Sequence, residues 1–202
     1  MMNLESMLTE ALNDEMLIKN AAFSGETLID FDAERLDFDH ASFEKCRFVN
    51  CIFSHASFLH CAFQSCDFSN CHFDDSFWRE SEISGCKANG AVFEHATLRM
   101  LTISNTPCRY INLSRSLLDR CQFSNCDFRE SAFSEVKIQK SQFDNVDFCQ
   151  SDFFKTSLKG VDLSTCKIEG ILVSDHFQEL RGLEISAEQA PYIAAFLGVK
   201  IK

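Results

Sequence analysis

Apolar residues recur along this chain every fifth position. From Phe23 the series runs Phe23, Leu28, Ala33, Phe38, Phe43, Phe48, Phe53, Phe58, Phe63, Phe68, Phe73 and Trp78, then holds the same frame through Phe93, Leu118, Phe133 and Phe153 to Val173. Neither a helix of period 3.6 nor a strand alternating in twos produces this spacing. Two residues before each member sits a second, smaller set that includes Ala41, Cys46, Cys51, Ala56, Cys61, Cys66, Ser76 and Cys86. Side chains two apart on extended backbone point the same way, so each unit sends one large and one small group inward. The other three positions are mostly polar or charged. A short strand and corner repeated in this way must wind into a coil, with four right-angled units closing a turn of about 20 residues. The pattern predicts an all-β solenoid of about eight coils over 21–175.

The ends follow other rules. Leu4, Met7, Leu8, Ala11 and Leu12 have helical spacing, which predicts a helix over 4–17 within a cap spanning 1–20. At the other end, 176–202, Ser186 followed by Glu188 and Gln189 predicts a capped helix that ends near Gly198, with Pro191 in its first turns. Such caps cover the unpaired edges of the end coils.

Composition narrows the function. The chain has 202 residues, 46% hydrophobic and 24% charged, with 21 Phe, 11 Cys, 7 Gly and 2 Pro, which fits one domain. Its net charge of -11 argues against direct nucleic-acid binding and suits a basic partner. No apolar run reaches membrane-spanning length, and the start MMNLESMLTE does not read as a signal peptide, so a cytoplasmic location with reduced thiols is expected. All cysteines but Cys108 and Cys149 take the small inward position, and metal spacings such as C-x₂-C are absent; they read as packing groups. Histidines 40, 55, 60, 72 and 95 fall at outward positions. Stacking the chain at the coil period places Arg35, His55, Asp75, His95, Arg115, Glu135, Lys155 and Asp175 in one corner column. That column reads as a solvated ladder of charge pairs rather than a His55–Asp75–His95 metal site or proton relay. No phosphate loop, nucleophile elbow or enclosed acid pair appears, so no catalytic residue, cofactor or metal is expected.

Stretches such as CRFVN-CIFSH-ASFLH-CAFQS-CDFSN-CHFDD resemble the pentapeptide-repeat family. The resemblance implies a right-handed quadrilateral parallel β-helix. Residues 83–113 further resemble the quinolone-resistance (Qnr-type) members, in the run Cys86–Ala91 and in Tyr110-Ile111 followed by Asn112-Leu113-Ser114. The C-terminal Gln189-Ala190, apolar helix and Leu197-Gly198-Val199 are similar to those proteins too. This likeness implies a homodimer joined through the C-terminal helix, with Tyr192, Ile193, Phe196 and Leu197 as dimerisation residues. It also implies a DNA-shaped protein that binds the type II topoisomerases DNA gyrase and topoisomerase IV and protects them from quinolones or toxins. One departure stands out: many Qnr-type proteins carry projecting loops, whereas the frame here is unbroken. The best candidate for a local bulge is 101–112, where Leu101, Thr106 and Ile111 fill the small position and Pro107 removes a backbone donor; Pro107, Arg109 and Tyr110 are the expected contacts there.

Sorting outward residues by face gives an asymmetric charge map. The face holding Phe53, Phe73, Phe93, Phe133 and Phe153 carries Asp32, Glu34, Asp74, Asp75, Glu94, Glu135, Asp152 and Asp175, opposed only by Arg35, Arg115 and Lys155. The face holding Phe38, Phe58, Trp78 and Leu118 is mildly basic and includes the apolar residues Leu59, Phe77, Met100 and Leu117, a candidate exposed cluster. Carboxylates in register along a rod imitate the regularly spaced anions of a duplex. The reading that follows is a non-enzymatic DNA mimic whose acidic face binds the topoisomerase; the alternative is an interaction scaffold for an unrelated partner.

Overall fold

A hydrogen-bond pattern repeated at most corners builds the molecule, seen here in a computed structural model that describes residues 3–14 and 16–200. The corner N–H reaches the carbonyl 19 residues ahead, as His40 to Leu59 at 2.9 Å and Asn105 to Ser124 at 3.0 Å. The N–H that opens each strand reaches back to the coil before, as Ser57 to Leu36 at 3.0 Å and Thr97 to Ser76 at 2.8 Å. Together these bonds set a parallel register of one coil, with Phe38 opposite Phe58 and Phe58 opposite Trp78.

Two faces form seven-stranded parallel sheets in simple chain order. The first runs from Ile18–Lys19 through Asp37–Asp39, Ser57–Leu59, Phe77–Arg79, Thr97–Arg99 and Leu117–Asp119 to Lys137–Gln139; the second runs from Ala22–Ser24 to Gln142–Asp144. The third face has one strand pair, Thr27–Ile29 with Arg47–Val49, and continues by single bridges. The fourth face is bridges throughout, from Asp32–Ile52 to Asp152–Leu172. Every fifth residue from Asn20 to Gly160 turns the corner at positive φ, between 50° and 73°. Gly90 is the corner where a side chain has no room, because an added Cβ would collide with the Asn70 amide of the coil below.

The inward frame fills the interior as expected, and the large residues stack in columns. Phe38 and Phe58 lie 4.9 Å apart and nearly parallel, Phe58 and Trp78 4.1 Å, and Phe73 and Phe93 4.8 Å. Each buried ring contributes about 1.5–3 kcal/mol through removal from water. The thiols at the small position are free and most aim at carbonyls of the previous coil, as Cys66 Sγ to Phe43 at 3.2 Å and Cys86 Sγ to Phe63 at 3.4 Å. Burial pushes the thiols of Cys61, Cys121 and Cys126 up to about 11, so they stay protonated packing groups.

Both caps differ from expectation in detail. α1 (Leu4–Asp14) is shorter than the 4–17 read from spacing; it buries Leu4, Leu8 and Ala11, and Leu12 faces outward. Sheet pairing covers about six turns rather than eight. Beyond Asp144 the chain keeps the period only by bridges, and it slips where Asp162 pairs with Glu184 instead of the in-frame Gly182. Two buried polar side chains close this end. The Glu179 carboxylate accepts the Lys155 N–H and the Ser174 hydroxyl, both at 2.8 Å. The Gln189 amide donates to the carbonyls of Leu163 at 2.8 Å and Cys166 at 2.6 Å, and accepts the Ser186 N–H at 2.7 Å. A 3-10 turn, Ala187–Gln189, leads into α2 (Ala190–Phe196), with Pro191 in its first turn and Gly198 at positive φ beyond it.

The bulge expected over 101–112 is absent. Leu101, Thr106, Cys108 and Ile111 are buried in frame, Ala88 N–H reaches the Pro107 carbonyl at 2.9 Å, and Pro107 bridges Asp127. This face pairs by single rungs, so proline's missing N–H removes one bond and leaves the coil intact.

Candidate functional site

The corner bonds settle how the acidic residues lie. Asp75 N–H donates to the Glu94 carbonyl at 2.9 Å, so consecutive coils place these two residues on one flank. The bridge ladder of the fourth face carries Asp32, Asp152 and their neighbours in the same register. The structure therefore brings Asp32, Glu34, Asp74, Asp75, Glu94, Glu135 and Asp152 to one side of the rod. Asp175 follows Leu172 of that ladder but has left the left-handed corner series, which passes to Phe177.

Their charges are not equally free. Glu94 is held by Arg115 at 2.7 Å, with His95 at 3.9 Å; Asp74 meets His72 at 3.1 Å. Glu34 lies between Arg35 at 3.6 Å and His55 at 3.9 Å, and Glu135 faces Lys155 at 3.7 Å. Asp32, Asp75, Asp152 and Asp175 have no cation within ion-pair reach among the described residues. Two of these four serve the backbone: Asp32 accepts the Glu34 N–H at 3.0 Å, and Asp152 accepts the Phe154 N–H at 2.8 Å and the Ser134 hydroxyl at 2.7 Å. Of the ladder read from the sequence, only Glu135 and Lys155 pair within the column; Arg35, His55, His95 and Arg115 turn instead to Glu34 and Glu94 beside it.

The other candidate contacts divide. Without a bulge to project them, Arg109 is tied to Asp127 at 2.6 Å, and Tyr110 stands exposed at a corner with its hydroxyl 3.1 Å from Glu130. In α2, Ile193 and Phe196 pack on the solenoid end, Phe196 against Phe177 at 5.7 Å between ring centroids, while Tyr192 and, just beyond the helix, Leu197 face outward. Half of the expected dimerisation set is therefore occupied in closing its own coil. The candidate apolar cluster Leu59, Phe77, Met100 and Leu117 is half-buried; exposure falls instead on Ile29, Tyr110, Leu172 and Leu197.

One cluster escaped the sequence reading. Asp39, His40 and His60 converge at the corner that follows the first sheet, one column over from the His55–His95 series. Hydrogen bonds from His60, Lys19 and His40 hold the Asp39 carboxyl down at about 2, so it is ionised at neutral pH. The signal was present in the coil period, which stacks residue 40 beneath residue 60.

No curated protein sequence matches the chain. Among solved structures, a trypsin-treated form of QnrB1, described as a plasmid-mediated fluoroquinolone resistance protein, is similar at 22% identity, over 92% of each chain, with a TM-score of 0.57. HetL, a pentapeptide repeat protein involved in heterocyst differentiation regulation from the cyanobacterium Nostoc sp., is similar at 14% identity, over 91% of this chain and 93% of its own, with a TM-score of 0.53. These likenesses are of fold. Among the described residues, no helix is long and apolar enough to cross a membrane. The model of pentapeptide repeats matches residues 34–70, 61–99, 108–141 and 133–170, more than half of the sequence, and the chain belongs to the pentapeptide repeat family.

Proposed function

We propose that the protein is a non-enzymatic mimic of duplex DNA that binds a type II topoisomerase, DNA gyrase or topoisomerase IV, and modulates it or protects it from quinolones or toxins. The observation that carries this reading is the flank of carboxylates held in register by the coil, from Asp32 through Asp75 and Glu94 to Asp152. Anions fixed on a rigid rod are drawn to a basic DNA-receiving saddle at long range, and the attraction weakens with salt. The likeness of fold to QnrB1, a fluoroquinolone resistance protein, supports the choice of partner. In the dimer, the outward residues Tyr192 and Leu197 of the C-terminal segment meet their copies.

Gyrase supercoiling assays with the purified protein, with and without a fluoroquinolone, test the proposal. The expected result is a change in supercoiling or in drug sensitivity that fades as salt rises. Asp75→Lys with Glu135→Lys abolishes it, whereas Arg99→Glu on the mildly basic face leaves it in place. No change at high protein concentration overturns the proposal.

A second reading has one observation in its favour: Glu34, Glu94 and Glu135 already pair with the neighbouring cations Arg35, Arg115 and Lys155. A face so compensated suits an interaction scaffold with another partner, in which the charge serves solubility.

A further inference from the structure

The corner that holds Asp39, His40 and His60 has the donor set of a metal site. His40 and His60 turn the same corner of successive coils, at φ 55° and 53°, and their rings stack 4.5 Å apart, 27° from parallel. Both Nδ1 atoms face one carboxylate oxygen, Asp39 Oδ1, at 2.6 Å from His40 and 3.2 Å from His60. The three donor atoms lie within 4.8 Å of one another. Two neighbours complete the corner: Glu80 Oε2 lies 3.4 Å from His60 Nε2, and Lys19 Nζ lies 3.1 Å from Asp39 Oδ2.

Imidazole nitrogens with one carboxylate oxygen suit a borderline divalent ion of the first transition row. Ligand atoms around a tetrahedral ion, each at about 2.0–2.1 Å from it, stand roughly 3.3 Å apart. The His60 spacing already meets this; His40 has to withdraw by less than ~1 Å, with both rings tilting to aim their lone pairs at the ion. Ligating histidines commonly give their second nitrogen to a carboxylate that fixes ring and tautomer, and Glu80 stands in that place for His60. Lys19 holds the oxygen that faces away from the histidines and leaves Oδ1 for the ion.

We propose that Asp39, His40 and His60 bind one divalent transition-metal ion, such as Zn²⁺, which clips two successive coils together near the N-terminal end of the rod. Binding replaces any Nδ1 proton, and water fills the remaining position.

The test is calorimetric titration of the full chain with Zn²⁺, alongside thermal unfolding. Expected are one ion per chain, a rise in Tm that a chelator reverses, and a loss of affinity of at least about tenfold in each of His40→Ala and His60→Ala, with native circular dichroism retained. His72→Ala, at an exposed histidine beside Asp74, leaves the titration unchanged. Absence of Zn²⁺ binding, or stoichiometric binding that survives the double alanine variant, overturns the proposal; the cluster is then only hydrogen-bonded histidines around an aspartate.

Discussion

Most coil corners force an L-residue into the left-handed region, at a cost of roughly 1–2 kcal/mol relative to the right-handed one, and glycine avoids that cost at Gly25, Gly85, Gly90 and Gly160. Asn, Asp and His visit that region more readily than most residues, and they occupy Asn20, Asp30, His40, Asn50, His55 and His60. The fold thereby places histidines at corners for a backbone reason, and the stacking of His40 on His60 follows from it. Inside, the small column prefers groups that reach a carbonyl, such as the cysteine thiols and Ser81, whose hydroxyl lies 3.0 Å from the Phe58 carbonyl. Ser116 is the exception: its buried hydroxyl has no hydrogen-bond partner among the described residues. An unpaired buried hydroxyl is a net cost, so Ser116→Ala is expected to stabilise the protein by up to about 1 kcal/mol, read as a higher guanidinium midpoint at unchanged slope. Destabilisation by that amount would show that the hydroxyl has a partner.

Strands of three residues have little stability by themselves and depend on the coils above and below. The terminal elements therefore matter more than their size suggests. α1 covers the first coil with three buried side chains, whereas the far end adds to the packing of Ile193 and Phe196 two polar groups, Glu179 and Gln189, that bond to the backbone of the last coils. Removing the amide in Gln189→Ala leaves the Leu163 and Cys166 carbonyls without that donor, at a cost of about 1–3 kcal/mol. Hydrogen exchange is expected to show lost protection over 158–172 while 38–100 stays protected, because each repeat contacts only its neighbours. Uniform loss along the chain would contradict the nearest-neighbour picture. The same logic explains why Pro107 is harmless: a missing rung is a local loss, and the frame on both sides of it continues.

At the scale of the whole rod, the aromatic columns fall into two blocks. Ring contacts run from Phe23 to Phe93 and resume from Phe123 to Phe153. Between them the core is aliphatic or small, with Ala88, Leu98, Ile103, Cys108, Leu113 and Leu118. Coupling between the blocks passes through this thinner middle. Leu98→Ala is expected to cost about 2–5 kcal/mol and to split thermal unfolding into two transitions, one per block. A single sharp transition would mean that the middle transmits as well as the aromatic ends do.

The fivefold frame, the identity of the inward residues and the grouping of Asp75 with Glu94 on one flank were legible in the sequence, because a strict period fixes both direction and stacking without any long-range choice. The family resemblance rested on the same period. Where the period ends, the sequence said less. Coil regularity fades after Asp144, Glu179 and Gln189 take over the bonds of a missing next coil, and Ile193 and Phe196 fold back onto their own end; the shape of that edge decides all three. Tertiary structure also decided which charges pair. A period places His55 beside both Glu34 and Asp75, and only side-chain reach within the finished corner selects Glu34, just as it turns His40 and His60 together onto Asp39.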